Sequence, residues 1–348
     1  MRPRWIALAG IALYAAVPAA PAGAPITLRT VPPVVYKLRD PGRLPLESWL
    51  FQLVVTGPDD LRPVGATIEL RSGATRLETV TVPESILVRR RATSYRPTPD
   101  SLALQRRLIL DEAFDLRMAF PARPLGWKTD LVRVTLALAT GSTRVTRTLD
   151  VPLAIFAPKT PLVFPLRGPA MVSQGSFNNA GHAGHANQFA IDVLGLNDTY
   201  GPMVAGRTGN EEYAGWGREV LAPGAGRVVH ARNDVPDNAP DANPVDTYGR
   251  LPEPMLAVAG NCVVIDHGNG EWSALMHLQH GSVGVKVGDT VAAGQPIGRL
   301  GNSGDAFGPH LHIQLQDGPE LLRANSLPLS FTNLPNADLS RGSYLTPR

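Results

Sequence analysis

Two histidines stand two residues apart in His310-Leu311-His312, inside an apolar run that follows Gly-Asn-Ser-Gly-Asp-Ala-Phe-Gly. The run reads as a strand entered from a glycine-rich turn. Side chains alternate faces along a strand, so His310 and His312 share one face and Leu311 and Ile313 take the other. Two imidazoles on one face suit a metal site. One can ligate an ion while its neighbour reaches the ion's water. The competing reading of the pair is two solvated surface histidines. A second chemical residue, Asp192, lies in Gln188-Phe189-Ala190-Ile191-Asp192-Val193-Leu194, which reads as an apolar strand. A carboxylate there needs a partner, and a cation is a good one.

The elements that would position these groups divide the chain in two. All eight histidines lie in the C-terminal half. From Pro25 to about Phe156 the pattern is strand after strand. Trp49–Val55 is followed by Ala66–Arg71 and Arg76–Val82 around Ser72–Thr75, and then by Leu131–Ala139 and Thr143–Leu153 around Thr140-Gly141-Ser142. Such short, regularly spaced antiparallel strands predict an immunoglobulin-like β-sandwich. Between them a short helix is expected over Ser101–Leu110, and Arg89-Arg90-Arg91 as a solvated face. This segment holds no convergent chemical set and reads as a binding or spacer module.

Ala157-Pro158-Lys159-Thr160-Pro161 reads as a linker. Beyond it, strands are expected at Gln188–Leu194, Cys262–His267, Trp272–Leu278, Val283–Val291 and Gln295–Gly301, and a strand and turn at Val220–Val229 with Pro223-Gly224-Ala225-Gly226 inside. Gly268-Asn269-Gly270 makes Cys262–Leu278 a hairpin. The insertion Asn233–Glu253 carries Asp234, Asp237, Asp241 and Asp246. These could hold calcium, although their spacing matches no EF-hand loop and favours a surface loop. The single cysteine, Cys262, excludes an internal disulfide and a cysteine-rich zinc site, and reads as a buried thiol.

The N-terminus has the form of a secretory signal peptide over residues 1–22. Met1-Arg2-Pro3-Arg4 is basic, Trp5–Val17 is apolar, and Ala20-Pro21-Ala22 fits a cleavage site. Cleavage would place the mature chain in the periplasm or outside the cell, with no membrane span. The formal charge of +3 includes Arg2 and Arg4, so the mature chain is near neutral and offers no case for nucleic acid.

Five segments, in order, carry a resemblance. They are Gly260–Gly270, His277-Leu278, Val287-Gly288-Asp289-Thr290-Val291, Gly294-Gln295-Pro296-Ile297-Gly298 and Gly308–His312. Over about residues 160–330 the chain resembles the lysostaphin-type (LytM-like) zinc metallopeptidases, a peptidoglycan endopeptidase family. With the strand pattern, this gives an all-β chain with the β-sandwich at 25–156, the linker at 157–161 and a tail at 333–348, around an antiparallel peptidase domain at 162–332 that the resemblance implies. It implies one Zn2+ per chain, held by an upstream His, Asp192 and His312. Simple members place the first ligand four residues before the Asp, where this chain has Gln188. Members with a longer loop place it further upstream. His182-Ala183-Gly184 fits that form better than His185, which stays the alternative. His310 would then be the general base and His277 a donor to the oxyanion. His267 resembles a structural position, while His230 and His280 match none and read as surface residues. No role is assigned to Asn269 or Ser303.

The implied function is a secreted zinc metalloendopeptidase cutting peptidoglycan stems or cross-links by a zinc-activated water. The alternative is an inactive LytM-like protein that binds wall peptides or activates an amidase. In either case the Asn233–Glu253 insertion could cover one side of the cleft, and Leu275 stands where the family often has an aromatic residue.

Overall fold

The computed structural model describes residues 25–39, 46–58, 60–87, 114–176, 182, 184–251 and 254–347. The signal-peptide segment, Arg89–Arg91 and the helix expected at Ser101–Leu110 lie outside these residues.

The described residues of the N-terminal half form nine strands: Thr27–Val31 (β1), Val35–Tyr36 (β2), Leu38–Arg39 (β3), Leu46–Thr56 (β4), Arg62–Ser72 (β5), Thr75–Pro83 (β6), Phe114–Pro124 (β7), Leu131–Thr140 (β8) and Thr143–Ala154 (β9). One sheet has the order β1-β4-β3, with β7 also on β4, and the other has the order β2-β9-β8-β5-β6. Alternation explains why they stack. Trp49, Phe51, Leu53 and Val55 of β4 are buried at every second position, and so are Val132, Val134, Leu136 and Leu138 of β8. The two rows meet in one core. Each fully buried large side chain stabilises the sandwich by about 1.5–3 kcal/mol. The two expected hairpins form around Gly73 and Gly141, whose φ values of 55° and 53° suit glycine.

The C-terminal half contributes Ala170–Gln174 (β10), Ile191–Gly195 (β11), Glu219–Leu221 (β12), Gly226–Arg232 (β13), Asn261–Asp266 (β14), Trp272–Leu278 (β15), Thr290–Val291 (β16), Pro296–Arg299 (β17), Leu311–Gln316 (β18), Ser326–Leu327 (β19) and Tyr344–Leu345 (β20). A nine-stranded antiparallel sheet runs β16-β13-β14-β15-β18-β11-β10-β20, with β19 on β18. β12 and β17 form a separate ladder. The chain is thus all-β in both halves. Val193, Leu275, Leu311, Ile313 and Leu315 face one core, which leaves the opposite face of β11, β15 and β18 for chemistry.

Three expectations are adjusted. The stretch Val283–Val291 supplies only β16, because Asp289 accepts from the Lys286 amide and Gly288 turns at φ 98°. Gln188 and Phe189 lie in a turn, and the strand begins at Ile191. Residues 333–348, set apart above as a tail, provide Leu334 and Leu345 to the core and pair β20 with β10.

The junction between the halves is bonded. The buried Glu271 carboxylate accepts from the backbone amides of Lys159 and Thr160 at 2.9 and 2.8 Å. Tyr36 and Phe156 meet edge to face at 5.2 Å and pack on the C-terminal core. No helix among the described residues is long and apolar enough to cross a membrane.

Candidate metal centre

The central strands bring together residues far apart in sequence. β11 and β18 are neighbours, and their register sets Asp192 opposite His312. His182 arrives from the loop before β11. The ligand atoms of His182, Asp192 and His312 all lie within 4.8 Å of one another, and all three residues are buried. Asp192 Oδ1 is 2.9 Å from His312 Nδ1, 3.3 Å from His182 Nε2 and 3.9 Å from His310 Nε2. Burial would raise the Asp192 carboxyl. His310, His182 and His312 outweigh it and hold the group well below its ordinary value. Burial likewise would lower the His182 ring, but Asp192 holds it above the usual value.

His185 takes no part in this group. Its Nδ1 faces Asn325 Oδ1 at 3.1 Å, and its backbone carbonyl accepts from the Ser326 amide. Asn325 gives its own Nδ2 hydrogen to Asp317, so His185 is tied to the loop beside the cleft.

Backbone carbonyls fix three of the rings. His182 Nδ1 donates to Gly175 at 3.1 Å, His277 Nδ1 to Ser303 at 2.8 Å and His310 Nδ1 to Gly308 at 2.9 Å. A carbonyl only accepts, so each neutral ring keeps its hydrogen on Nδ1 and a lone pair on Nε2. That tautomer suits His182 as a ligand and His310 as a base. It alters the expectation for His277, which could donate from Nε2 only as an imidazolium. Burial, together with His310 and His312, holds its pKa well below the ordinary value, so the neutral form is favoured. The rings of His277 and His310 are 4.7 Å apart, so one reacting group could touch both.

His277 reaches the cleft by an unusual backbone. Strict alternation would place it with Leu275 on the core side. Its φ of 62°, beside a register shift between Asn261 and Val263, brings it to the side of Met276 instead. Positive φ is uncommon for a side-chain-bearing residue and tends to mark functional positions. Leu275 is in the core, and Met276 lines the groove.

Several supports were not legible beforehand. Ser303 is fully buried, and its hydroxyl donates to Leu278 O at 2.6 Å and accepts from the Asn261 amide at 2.9 Å. Asn238, from the Asp-rich insertion, is buried and gives its amide hydrogens to the carbonyls of Asn302, Gly304 and Ala306. The insertion thus braces the loop that leads to His310. Its aspartates do not converge: Asp234 pairs with Arg232, and Asp237 accepts from the Asn302 and His280 amides. Gly175, whose carbonyl holds His182, lies against the chain end. An added Cβ there would sit 2.8 Å from Leu339 O. The signal in the sequence was faint: polar residues in loops carry no period.

The remaining histidines are structural or peripheral. His267 donates to Ala225 O and faces Ser273 Oγ, in keeping with a structural position. His280 is exposed, whereas His230 is half-buried in β13 and not at the surface as expected.

The five groups line one cleft of about 720 Å³, together with Tyr213, Asp241, Met276, Asp305 and Phe307. Two imidazole nitrogens and one carboxylate oxygen, buried and held from behind, form a donor set that fits zinc with one position left open.

Part of the chain is similar to known proteins. Residues 207–323 match Peptidase family M23, a span that includes His277, His310 and His312 and begins after Asp192. Two relatives from Vibrio cholerae serotype O1 are similar over short stretches. Peptidoglycan DD-endopeptidase ShyA is 40% identical over 79 residues, which is 23% of this chain and 17% of that protein. Peptidoglycan DD-endopeptidase ShyC is 46% identical over 55 residues, 16% of this chain and 12% of that protein. The chain thus spans under a fifth of the length of these relatives. The catalytic domain of lysostaphin from Staphylococcus simulans aligns at 21% identity, over 46% of this chain and 88% of that one, with a TM-score of 0.27.

Proposed function

We propose that this chain, LytM-like and of the M23 peptidase type in its C-terminal half, is a zinc metalloendopeptidase that cuts peptide bonds in peptidoglycan stems or cross-links, acting in the periplasm or outside the cell. The observation that carries the reading is the convergence of His182, Asp192 and His312 on one point, with the Nε2 lone pairs of His310 and His277 beside it.

His182 through Nε2, Asp192 through Oδ1 and His312 through Nδ1 would hold the ion. Zinc held there would polarise the scissile carbonyl and lower the pKa of a water to about 7. His310, whose Nδ1 hydrogen is committed to Gly308, offers Nε2 to take a proton from the attacking water and pass it to the leaving amine. His277, with its Nδ1 hydrogen committed to Ser303, keeps a second Nε2 acceptor next to that path. Burial of Asp192 and His312 keeps bulk water from the donor side of the centre. A peptide would lie along the cleft, which Tyr213 and Phe307 help to line.

The test is muropeptide release from purified sacculi, with zinc content measured on the same sample. Wild type should release fragments, chelation should stop release, and added zinc should restore it. His310→Ala should lose about 10²- to 10⁴-fold in rate while keeping its zinc. A zinc-loaded wild type that releases nothing would sink the proposal.

A further inference from the structure

His312 differs from the other three rings of the cleft. His182, His277 and His310 are held at Nδ1 by the backbone, whereas His312 is held at Nε2 by a side chain, Gln314 Oε1, at 2.9 Å. Gln314 Nε2 in turn donates to Gln316 Oε1, and Gln316 Nε2 donates to the carbonyl of Gly318 at 2.7 Å. The three side chains occupy alternate positions on the site face of β18, and both glutamines are buried. Two buried amides side by side in a central strand are unusual unless each atom is bonded.

The row has a direction, and its far end sets it. The Gly318 carbonyl can only accept, so Gln316 must turn its NH₂ group toward it. Gln316 then shows Oε1 to Gln314, which must answer with its own NH₂. Gln314 is left with Oε1 facing His312, and an oxygen there requires hydrogen on His312 Nε2. The remaining nitrogen, Nδ1, faces Asp192 Oδ1 at 2.9 Å, an acceptor to which it donates while no ion lies between them, so Nδ1 is the nitrogen that must give up its hydrogen to a metal while Gln314 holds the hydrogen on Nε2. A flipped amide at Gln314 would set NH₂ against Nε2 and favour hydrogen on Nδ1, the atom that must carry the lone pair for a metal.

We propose that Gln314 and Gln316 are positioning residues that select the metal-binding tautomer of His312, with Gly318 O as the fixed end of the relay. The inference rests on the reading of His182, Asp192 and His312 as zinc ligands. It adds two residues, neither of which touches the ion or the peptide bond.

Zinc affinity of the purified full chain, read by competition with a chromophoric chelator, tests it without reference to hydrolysis. Gln314→Leu should weaken zinc binding by about 10- to 100-fold. Gln314→Glu keeps an acceptor at His312 and should bind close to wild type. Gln316→Leu leaves Gln314 in place but frees its amide to flip, so affinity should fall by an intermediate factor. The double variant should be no weaker than Gln314→Leu alone, because both changes break one relay. Cobalt-substituted protein gives a second readout: its visible spectrum should shift for the two Leu variants and not for Gln314→Glu. Wild-type zinc affinity in a folded Gln314→Leu would overturn the relay and leave the peptidase reading intact. Equal losses in Gln314→Leu and Gln314→Glu would also overturn it, since packing alone would then explain the effect. A wild type that binds no zinc would overturn both readings.

Discussion

His277 donates its Nδ1 hydrogen to the carbonyl of Ser303 at 2.8 Å, and Ser303 is itself held by its hydroxyl between Asn261 and Leu278. The ring of one cleft residue is therefore aimed by the backbone of a loop 26 positions away in sequence. That loop approaches so closely that a Cβ on Gly260 would lie 2.4 Å from Ser303 O, at a φ of 64°.

Ser303→Ala is expected to leave the Asn261 amide and the Leu278 carbonyl without their buried partner. The cost should be about 1–3 kcal/mol by denaturant unfolding. Turnover should fall with it, while zinc content stays near one per chain as proposed. Gly260→Ala should be more damaging, because the added Cβ would meet the Ser303 backbone, which cannot swing aside as a side chain does. Equal stability of wild type and Ser303→Ala would show that the hydroxyl carries no such role.

Asp192 is the shared neighbour of His182, His310 and His312. Asp192→Asn should abolish zinc retention. Thermal unfolding checks this directly. At free zinc 100 times its dissociation constant, wild type should gain about 2.7 kcal/mol and the variant nothing. Treatment with a chelator should bring the wild type down to its metal-free melting temperature. Parallel gains in the two proteins would remove Asp192 from the centre.

Asn238 should matter more than its place in a long insertion suggests. Its NH₂ group faces three carbonyls, those of Asn302, Gly304 and Ala306, at 2.9, 2.9 and 3.0 Å. Asn238→Asp keeps the size and sets a carboxylate against those oxygens, so it should destabilise the loop more than Asn238→Ala does. Hydrogen exchange of residues 302–308 reports the loosening. Unchanged protection there in Asn238→Asp would refute the bracing role.

Cys262 is buried in β14, and burial pushes its thiol up to about 12. Native protein should therefore resist alkylation at neutral pH and react once unfolded. The sign of the alkaline effect follows from proton counts. The unfolded thiol releases its proton near its ordinary value of about 8.5, while the folded one keeps it to about 12. The folded state binds more protons in that window, so stability falls as pH rises through it. Cys262→Ala should flatten that part of the curve in a pH series of unfolding measurements.

Much of this centre was legible from local pattern. His310 and His312 stand out because an alternating strand puts both on one face, and the Gly268–Gly270 turn makes the hairpin that carries His277. Asp192 is conspicuous as a carboxylate in an apolar run. The supports were hidden for physical reasons. Ser303 and Asn238 act through loops with no periodicity, and their partners are carbonyls, which every residue has. His182 and His185 have the same chemistry and lie three apart, so only the folded path brings the first to Asp192 and the second to Asn325. Gln314 and Gln316 could have been noticed as polar residues on the buried face of a strand, but their direction depends on Gly318 O. The β-strand expected at Val283–Val291 failed because its valines straddle a glycine turn.

Asp192 and His312 are 120 residues apart in sequence and side by side in the sheet. Joining them requires closing that long loop, a step whose entropic cost is met only when the central pairing is made. The proposed metal centre is therefore a product of folding and not its seed. An ion that binds tightly reports that β11 and β18 have already found each other, so zinc uptake during refolding should trail the formation of the sheet and could serve as a clock for its last long-range step.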